Sequence, residues 1–368
     1  MMPVIGAKRM TECGTTTFVS PDGYQAAIPG ASANLVFTGR GDFKARLTWL
    51  KLPRLSIFRA REDLARIAYL SLLPTESFIS FPIGSGTRLL WSGLALRRGE
   101  IVFHARRERS HQRTTGASHW GLVSMRPEQL AAYGKVLAGV KIFPPPVGCL
   151  LQPSPAASAL LLRLHSKACD LAETKPQIMS HEEAARAFEQ EFVHALVNCL
   201  TIDSELPSTA PKRRRAHIMM RFEGALSALG GRQLRTAELC AAIGVKERTL
   251  RVCCSEFLGM SPGRYIRLRR LNMVRAELHR ADPTTASVAT IARRHQFSEL
   301  GRFAATYRAV FGEMPSDTLR RSGMPSSSGS VDVPDVAQCG FERRDAHGNS
   351  PDGSCPPKIR GGCRRAEP

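Results

Sequence analysis

The sequence predicts an α+β protein in which a strand-rich N-terminal region precedes an all-α C-terminal region. Between residues 34 and 125, short runs of alternating apolar and polar residues recur at intervals of roughly 8 to 12 residues, which is typical of a β-sandwich or barrel. Beyond residue 210, apolar residues recur instead at steps of three and four, the period of amphipathic helices.

The predicted strands lie within residues 31–150. The alternation is clearest at residues 43–49, 77–81, 88–91 and 100–103. Glycine and proline residues between these runs favour turns, because they adopt backbone conformations that end strands. Residues 1–30 are rich in Gly, Thr and Pro, and we expect them to form a flexible leader ahead of the β-rich domain.

Two helices are predicted over residues 151–206, where apolar residues recur at helical spacing. Their apolar stripes comprise Leu160, Leu161, Leu164 and Leu171 in the first helix and, after a cap at Ser180, Ala184, Phe188, Phe192 and Leu196 in the second. A stripe of this kind forms either the core of its own domain or a dimer interface, and the sequence leaves both open. We expect these to be dimerisation or linker helices.

Composition marks the limits of the all-α domain. Residues 207–216 include four consecutive basic residues at 212–215 and are expected to form a basic linker. Residues 322–368 are rich in Ser, Gly and Pro and contain few aliphatic residues, which is typical of a disordered tail. The all-α domain is therefore expected to span residues 217–321.

This all-α domain contains a near-repeat about 53 residues apart. Each copy predicts a short helix, a tight turn and a second helix, and the copies end in similar residues at 257–262 and 310–315. Two helix-turn-helix units in tandem are suited to contacting two successive windows of DNA.

In the first copy, Gly244 suits the left-handed backbone conformation of the turn. The helix predicted after it, residues 246–258, has an inner face of Leu250, Cys253 and Phe257. A longer helix follows, capped by Ser261 and about 20 residues in length, which makes a rod on the order of 30 Å. Such a rod could hold two recognition helices about one DNA turn apart.

In the second copy, Ser287 is expected to cap a helix over residues 288–294, and residues 295–297 form the turn. Ser298 is expected to cap the last long helix, whose inner face is Phe303, Tyr307 and Phe311.

Residues 217–321 resemble the DNA-binding domain of AraC/XylS-type transcription regulators. The similarity is carried by Leu239-Cys240, by residues 259–266, 270–271, 288–292, 297–298 and 303–308, and by the run Phe-Gly-Glu-Met-Pro at 311–315. The resemblance implies seven helices with two helix-turn-helix motifs. It also implies that the N-terminal region is a jelly-roll or cupin-like sensor domain that binds a small molecule and dimerises.

The resemblance assigns DNA contacts to outward-facing residues. Base reading is expected from Arg248, Arg251 and Glu247 on the first recognition helix, because arginine forks match the acceptors of guanine. Contacts to phosphates or to DNA shape are expected from Lys246, Arg264, Arg267, Ser298, Arg302 and Arg308. For any one arginine, the alternative is a solvated or phosphate-bound side chain.

The sequence departs from the family at several positions. The first recognition helix has Val252-Cys253-Cys254 where the family usually has Arg-hydrophobic-Phe. The cysteines are either small buried residues or a redox switch. The second has Leu300, Gly301, Ala304 and Ala305 where bases are commonly read, and none of these can make a bidentate hydrogen bond.

Two further departures concern the ends of the recognition helices. Gln296 occupies a turn position where the family usually has glycine, which costs about 1 kcal/mol if φ is positive. Lys246 replaces the usual Ser or Thr cap, a loss of about 1 kcal/mol.

In the strand-rich domain, aromatic walls with polar anchors would suit a small-molecule effector. Trp91, His111, Arg113 and Trp120 are the candidates. The alternative is that the tryptophans belong to the core and Arg113 is solvated.

Charge and cysteine content narrow the function. The net charge is +20, and residues 211–321 carry 22 Lys and Arg against 9 Asp and Glu, which favours a polyanion such as DNA. The ten cysteines form no C-x-x-C pair, and His104 and His111 lack metal-ligand spacing. We therefore expect the protein to bind no metal and no cofactor and to have no enzymatic activity. A cytoplasmic protein with no membrane segment is expected.

These observations predict a ligand-responsive transcription activator that binds double-stranded DNA, with RNA polymerase as a partner and a homodimer as an open expectation. A non-specific architectural DNA binder is the first alternative. A metal-dependent barrel enzyme fused to a DNA-binding domain is the second.

Overall fold

The computed structural model describes residues 11–84, 88–201, 205–206, 210–228 and 236–322. The strands and helices of these residues belong to one compact unit. The disordered tail predicted for residues 322–368 lies outside the described residues, except for Ser322 at the end of the last helix.

The N-terminal region folds into strands whose pairings are all antiparallel in the part of the chain that the structure describes. In chain order the strands are β1 (Glu12–Phe18), β2 (Ala31–Phe37), β3 (Ala45–Lys51), β4 (Leu55–Glu62), β5 (Arg66–Leu72), β6 (Ser77–Pro82), β7 (Leu89–Trp91), β8 (Leu94–Leu96), β9 (Ile101–Phe103), β10 (Arg109–Thr114), β11 (Ser118–Met125), β12 (Cys149–Leu151) and β13 (Glu205–Leu206). The four strands predicted most clearly are thus confirmed as β3, β6, β7 and β9.

The strands form two sheets, of which the larger has the order β1-β3-β4-β11-β6-β9-β12-β13 and the smaller the order β2-β5-β10-β7-β8. An apolar cluster between the sheets takes Leu35 and Leu72 from the smaller sheet and Phe58, Phe78 and Leu122 from the larger. Of the two architectures that the sequence left open, the structure therefore has a β-sandwich.

Helices surround the sandwich and form the C-terminal region. They are α1 (Pro21–Gln25), α2 (Pro127–Ala138), α3 (Pro155–Thr174), α4 (Pro176–Ser180), α5 (Glu182–Leu200), α6 (Ala210–Ala228), α7 (Thr236–Ile243), α8 (Glu247–Leu258), α9 (Pro262–Arg280), α10 (Val288–Arg294), α11 (Leu300–Phe311) and α12 (Pro315–Ser322). The strand-rich and all-α regions predicted from the sequence are confirmed in this order.

The stripes of α3 and α5 pack against their own domain. Leu161 and Leu164 from α3 and Phe192 and Leu196 from α5 join one apolar cluster with Ile57 and other residues of the larger sheet. The larger sheet is consequently covered by the smaller sheet on one face and by helices on the other. The core interpretation is confirmed for these stripes, whereas a dimer stays a prediction.

The leader predicted over residues 1–30 is wrong for residues 12–25. Residues 12–18 form β1, which pairs with β3 along its whole length, and Tyr24 of α1 is buried between the sheets. Three consecutive threonines in β1 favour an extended backbone because they are β-branched, and the unpaired edge of β3 supplies hydrogen-bond partners.

The basic linker predicted over residues 207–216 is wrong from residue 210 onward, because α6 begins there. The reason is a helical apolar pattern, Ile218, Met219 and Phe222, that is buried against the next helices and extends the helix N-terminally through the basic residues.

Two predicted caps are also corrected. Ser180 is the last residue of α4, and His181 is the N-cap of α5. The N-cap of α11 is Glu299 rather than Ser298, and it makes no side-chain cap hydrogen bond.

Candidate nucleic-acid interface

The first helix-turn-helix consists of α7, a turn at Gly244, and α8. Gly244 has φ of 63°, a conformation that glycine adopts without the steric cost of a side chain. Leu239 of α7 packs with Leu250 and Phe257 of α8 in one buried cluster. This packing fixes which face of α8 points away from the protein.

The outward face of α8 carries the predicted base readers. Arg248 and Arg251 are exposed, and the Arg251 Nη2 donates to Glu247 Oε1 at 2.6 Å. The side chains of Arg251 and Glu247 are 68% and 46% exposed, so this ion pair contributes little to stability and can open. Lys246 is the N-cap of α8 and makes no side-chain cap hydrogen bond, as its sequence suggested.

The cysteines of α8 are structural. Cys253 and Cys254 are fully buried within the cluster that joins α7, α8 and α9. Burial raises the pKa of both thiols, which disfavours the reactive thiolate. Their surroundings support small apolar core residues over a redox switch.

The long helix α9 connects the two motifs, and Ser261 caps it as predicted, accepting from the Arg264 backbone N–H at 3.4 Å. Its arginines fall into two groups. Arg264 and Arg267 are exposed to solvent. Arg269, Arg270 and Arg275 are engaged within the protein.

The engaged arginines each have a defined partner. The Arg270 guanidinium lies 4.9 Å from the Phe297 ring centroid, and burial lowers its pKa. Arg275 Nη2 lies 3.1 Å from Glu313 Oε1. These contacts anchor the second motif to α9.

The second helix-turn-helix consists of α10, the turn at residues 295–297, and α11. Gln296 has φ of 66°, so the condition for the expected cost of about 1 kcal/mol is met. On α11, Gly301 and Ala305 are exposed beside Arg302 and Arg308. This face therefore presents small side chains flanked by cations and offers no bidentate donor at the four expected positions.

Known proteins resemble the C-terminal region in sequence. Residues 239–321 match the family model described as a helix-turn-helix domain. The chain is 38% identical over 95 residues to the probable thc operon regulatory protein of Rhodococcus erythropolis, and 41% identical over 90 residues to the XylDLEGF operon transcriptional activator 1 of Pseudomonas putida. Residues 239–321 are therefore a helix-turn-helix domain, similar in sequence to part of these two operon regulators.

These similarities cover only part of each protein. The matched segments make up 26% and 24% of this chain, and 29% and 26% of the two relatives. Among solved structures, the AraC-like transcriptional activator CuxR aligns over 72% of this chain and 96% of its own, at 18% identity and a TM-score of 0.37.

The β-sandwich contains a cavity of about 70 Å³ between its sheets. Its walls are largely apolar, with contributions from Leu35, Leu70 and Leu122. Arg66 is buried in the wall, and its Nη1 has no hydrogen-bond partner in the described structure. The cavity is thus a largely apolar space whose wall includes the buried guanidinium of Arg66.

A buried carboxylate neutralises Arg66. Glu62 Oε2 accepts from Arg66 Nε at 2.9 Å, and Glu62 also accepts from Tyr24 and Trp120. Burial opposes ionisation of Glu62, but Arg66 and these donors together hold its pKa below the ordinary value. The Arg66 guanidinium is therefore charge-balanced before any ligand arrives.

The structure does not bring the four predicted effector residues together. Trp120 lines the cavity, whereas Trp91 lies in an adjoining apolar cluster, where its Nε1 donates to Glu108 at 2.9 Å. His111 and Arg113 lie on the opposite face of β10, because neighbours of Gln112, which lines the cavity, must point away from it. The predicted grouping is wrong for His111 and Arg113.

His111 and Arg113 contact the helix-turn-helix domain instead. His111 Nε2 lies 3.0 Å from Glu223 Oε1 of α6. The Arg113 guanidinium packs against Gly259, where an added Cβ would lie 1.5 Å from Nη1. We call the contact between the smaller sheet and helices α6, α8 and α9 the sheet–helix junction.

Glu223 is the polar centre of the sheet–helix junction. Besides facing His111, it accepts from Tyr265 at 2.6 Å and from Arg269 at 2.7 Å, both on α9. Burial opposes its ionisation, but hydrogen bonding to His111 and the charges of His111 and Arg269 lower its pKa overall. Asn272 adds a second link, since it both accepts from Phe37 N–H at 2.9 Å and donates to Phe37 O at 3.2 Å.

Sequence reasoning missed Glu62, Arg66 and Glu223. The sequence pattern that could have pointed to them is a charged residue within a run of regularly spaced apolar residues. Arg66 at the start of β5 and Glu223 beside Phe222 in α6 are examples. Long-range partners decide whether such a residue is buried, and those partners are not visible in a local pattern.

The residues that the structure describes include no group of three or more His, Cys, Asp or Glu side chains placed to hold a metal ion. Across the same residues, every helix is too short or too polar to cross a lipid bilayer.

Proposed function

We propose that this protein is a sequence-specific DNA-binding transcription regulator, and an activator, that uses both helix-turn-helix motifs in successive major grooves. The observation that carries the proposal is the exposed face of α8, where Arg248 and Arg251 stand outward on a helix whose other face is buried. Activation is suggested by the P. putida relative, which is described as a transcriptional activator. Such an activator would contact RNA polymerase and work in the cytoplasm.

The two motifs contribute unequally to recognition. On α8, arginines can hydrogen-bond to guanine, and each good bidentate pair discriminates by about 1 to 3 kcal/mol. On α11, the small exposed residues Gly301 and Ala305 would let the helix approach the DNA closely and contact thymine methyl groups. Arg302 and Arg308 would contact phosphate groups instead. A target site would then have one sharply defined half and one loosely defined half, about a helical turn apart.

The cavity in the sandwich is the proposed effector site, in place of the four residues that the sequence suggested. A cavity of about 70 Å³ is about half the ~150 Å³ that holds benzene, so an effector would have to expand it. The unused Arg66 Nη1 would donate a hydrogen bond to the effector.

The smaller sheet would transmit effector binding to the helix-turn-helix domain, because one face of this sheet lines the cavity and the other face contacts that domain. Leu35 and Gln112 line the cavity, and the adjacent Val36 and His111 contact the helix-turn-helix domain from the other face. Expansion of the cavity would shift these strands and with them the sheet–helix junction. A homodimer remains a proposal without a defined interface.

The decisive measurement compares the affinity of the full chain for duplex DNA from upstream of its own gene with that for random duplex at moderate salt. We expect a clear preference. Arg248→Ala should relax specificity at one or two bases, because it removes a base-reading fork, whereas Arg302→Ala should weaken all sequences similarly. Equal binding to both duplexes would favour the non-specific architectural binder.

A further inference from the structure

Val252 is an apolar residue on the outward face of α8. Its side chain is 46% exposed, whereas Leu250, Cys253 and Cys254 around it are buried. The hydrophobic cluster of the domain is therefore complete without Val252. A branched apolar side chain gains nothing from water at such a position, and helix propensity does not favour valine there.

Its neighbours on the helix are the predicted base readers. Arg248 lies four residues before Val252, one helical turn away on the same face, and Arg251 is adjacent in the chain. A separation of four residues corresponds to a rise of about 6 Å, or nearly two base-pair steps at roughly 3.4 Å each. A helix that places Arg248 on a base edge consequently places Val252 within two base pairs of it.

The chemistry of the major groove limits what Val252 can contact. Every base presents a hydrogen-bond donor or acceptor there, and thymine alone adds a C5-methyl group. Against a donor or acceptor, valine would remove water and offer no hydrogen bond in return. Against the thymine methyl, it would bury apolar surface on both sides.

We propose that Val252 is a specificity-determining residue that contacts the C5-methyl group of a thymine within two base pairs of the base read by Arg248. This inference rests on the proposed function, since it requires α8 to enter the major groove. The recognised half-site then contains a guanine and a nearby thymine, with one read by hydrogen bonds and the other by shape and apolar contact.

The test uses the full chain and a duplex selected from a random library for tight binding. Each thymine is replaced singly by deoxyuridine, which removes only the C5-methyl group, and Kd is measured. For the unaltered protein, we expect one replacement beside the guanine contacted by Arg248 to weaken binding about fourfold, the effect of burying one methyl-sized group. The Val252→Ser variant should bind the thymine and uracil duplexes equally.

Two further variants complete the design. Val252→Thr keeps one methyl group at the same place and should retain part of the preference for thymine. Val136→Ser makes the same substitution at a valine that is 79% exposed on α2, and it should retain the full fourfold preference. Circular dichroism of Val252→Ser confirms that the fold is kept.

The inference is overturned if Val252→Ser still distinguishes thymine from uracil as the unaltered protein does, or if no single replacement changes Kd. A selected half-site without thymine near the Arg248 base would overturn it as well. Failure to select any preferred duplex would be a different result, since it would overturn the proposed function and this inference together.

Discussion

At the scale of single residues, the helix-turn-helix domain contains two locally unfavourable positions. Gln296 keeps a left-handed backbone, and Lys246 begins α8 without a side-chain cap, so each position lacks the residue that would stabilise it most. Each departure costs about 1 kcal/mol. Both residues are exposed, so neither departure is offset by buried contacts of the side chain concerned.

Replacing Gln296 by glycine should raise the free energy of unfolding by about 1 kcal/mol, because glycine adopts a positive φ without steric cost. Chemical denaturation of the two proteins measures the difference. The same substitution at Gln190, an exposed position inside α5, is the control and should destabilise by about 1 kcal/mol. A loss of stability in Gln296→Gly would contradict the account of strain.

At the scale of elements, α9 is a structural rod as much as a DNA-facing helix. Of its arginines, Arg264 and Arg267 face solvent, while Arg269 pairs with buried Glu223. The sequence places all of them on a basic helix and cannot separate the groups. The division arises because α9 packs against α6, the smaller sheet and the second motif at once.

Glu223→Ala should lower the free energy of unfolding by about 3 to 5 kcal/mol at neutral pH, because it leaves Arg269 and His111 without their buried carboxylate. Urea denaturation measures this. Glu12→Ala, which removes an exposed partner of Lys51, is the control and should change stability by less than about 1 kcal/mol.

The stability difference between the unaltered protein and Glu223→Ala should also depend on pH. The pKa of folded Glu223 is below the ordinary value of 4.5, so its contribution is present above that pH and is lost as the pH falls through the lower, folded pKa. The difference in stability between the two proteins should therefore narrow in acid. A difference that grew below pH 4.5 would contradict the lowered pKa.

At the scale of the whole molecule, positive charge is concentrated on the part that would meet DNA. Residues 211–321 carry 22 basic against 9 acidic residues, and several of the basic side chains are used internally. The five exposed cations expected at phosphates are Lys246, Arg264, Arg267, Arg302 and Arg308. The number of released counterions should follow these five rather than the net charge of the chain.

A plot of log association constant against log salt concentration should have a slope of about −4.5, since each neutralised phosphate contributes about −0.9. Replacing Arg267 by alanine should reduce the magnitude of the slope by about 1. Lys141→Ala, at an exposed position outside the domain, should leave it unchanged. A slope that did not respond to Arg267→Ala would remove that residue from the phosphate contacts.

Local patterns predicted much of this fold. The buried faces of α8 and α11, the turns at Gly244 and Gln296, and the cap at Ser261 all follow from spacing and backbone preference within a few residues. The unequal chemistry of the two recognition helices likewise follows directly from which side chains each helix carries. What the sequence determined is therefore the helix-turn-helix repeat and the side chains that each copy turns outward.

The tertiary structure alone decided how the two regions meet and where a ligand could lie. Strand alternation indicates that Gln112 and His111 point to opposite faces, but it does not say that one face lines a cavity and the other meets Glu223, 112 residues away from His111. Partners so distant in sequence leave no periodic signal, because burial and charge pairing depend on which strands and helices become neighbours in the folded chain.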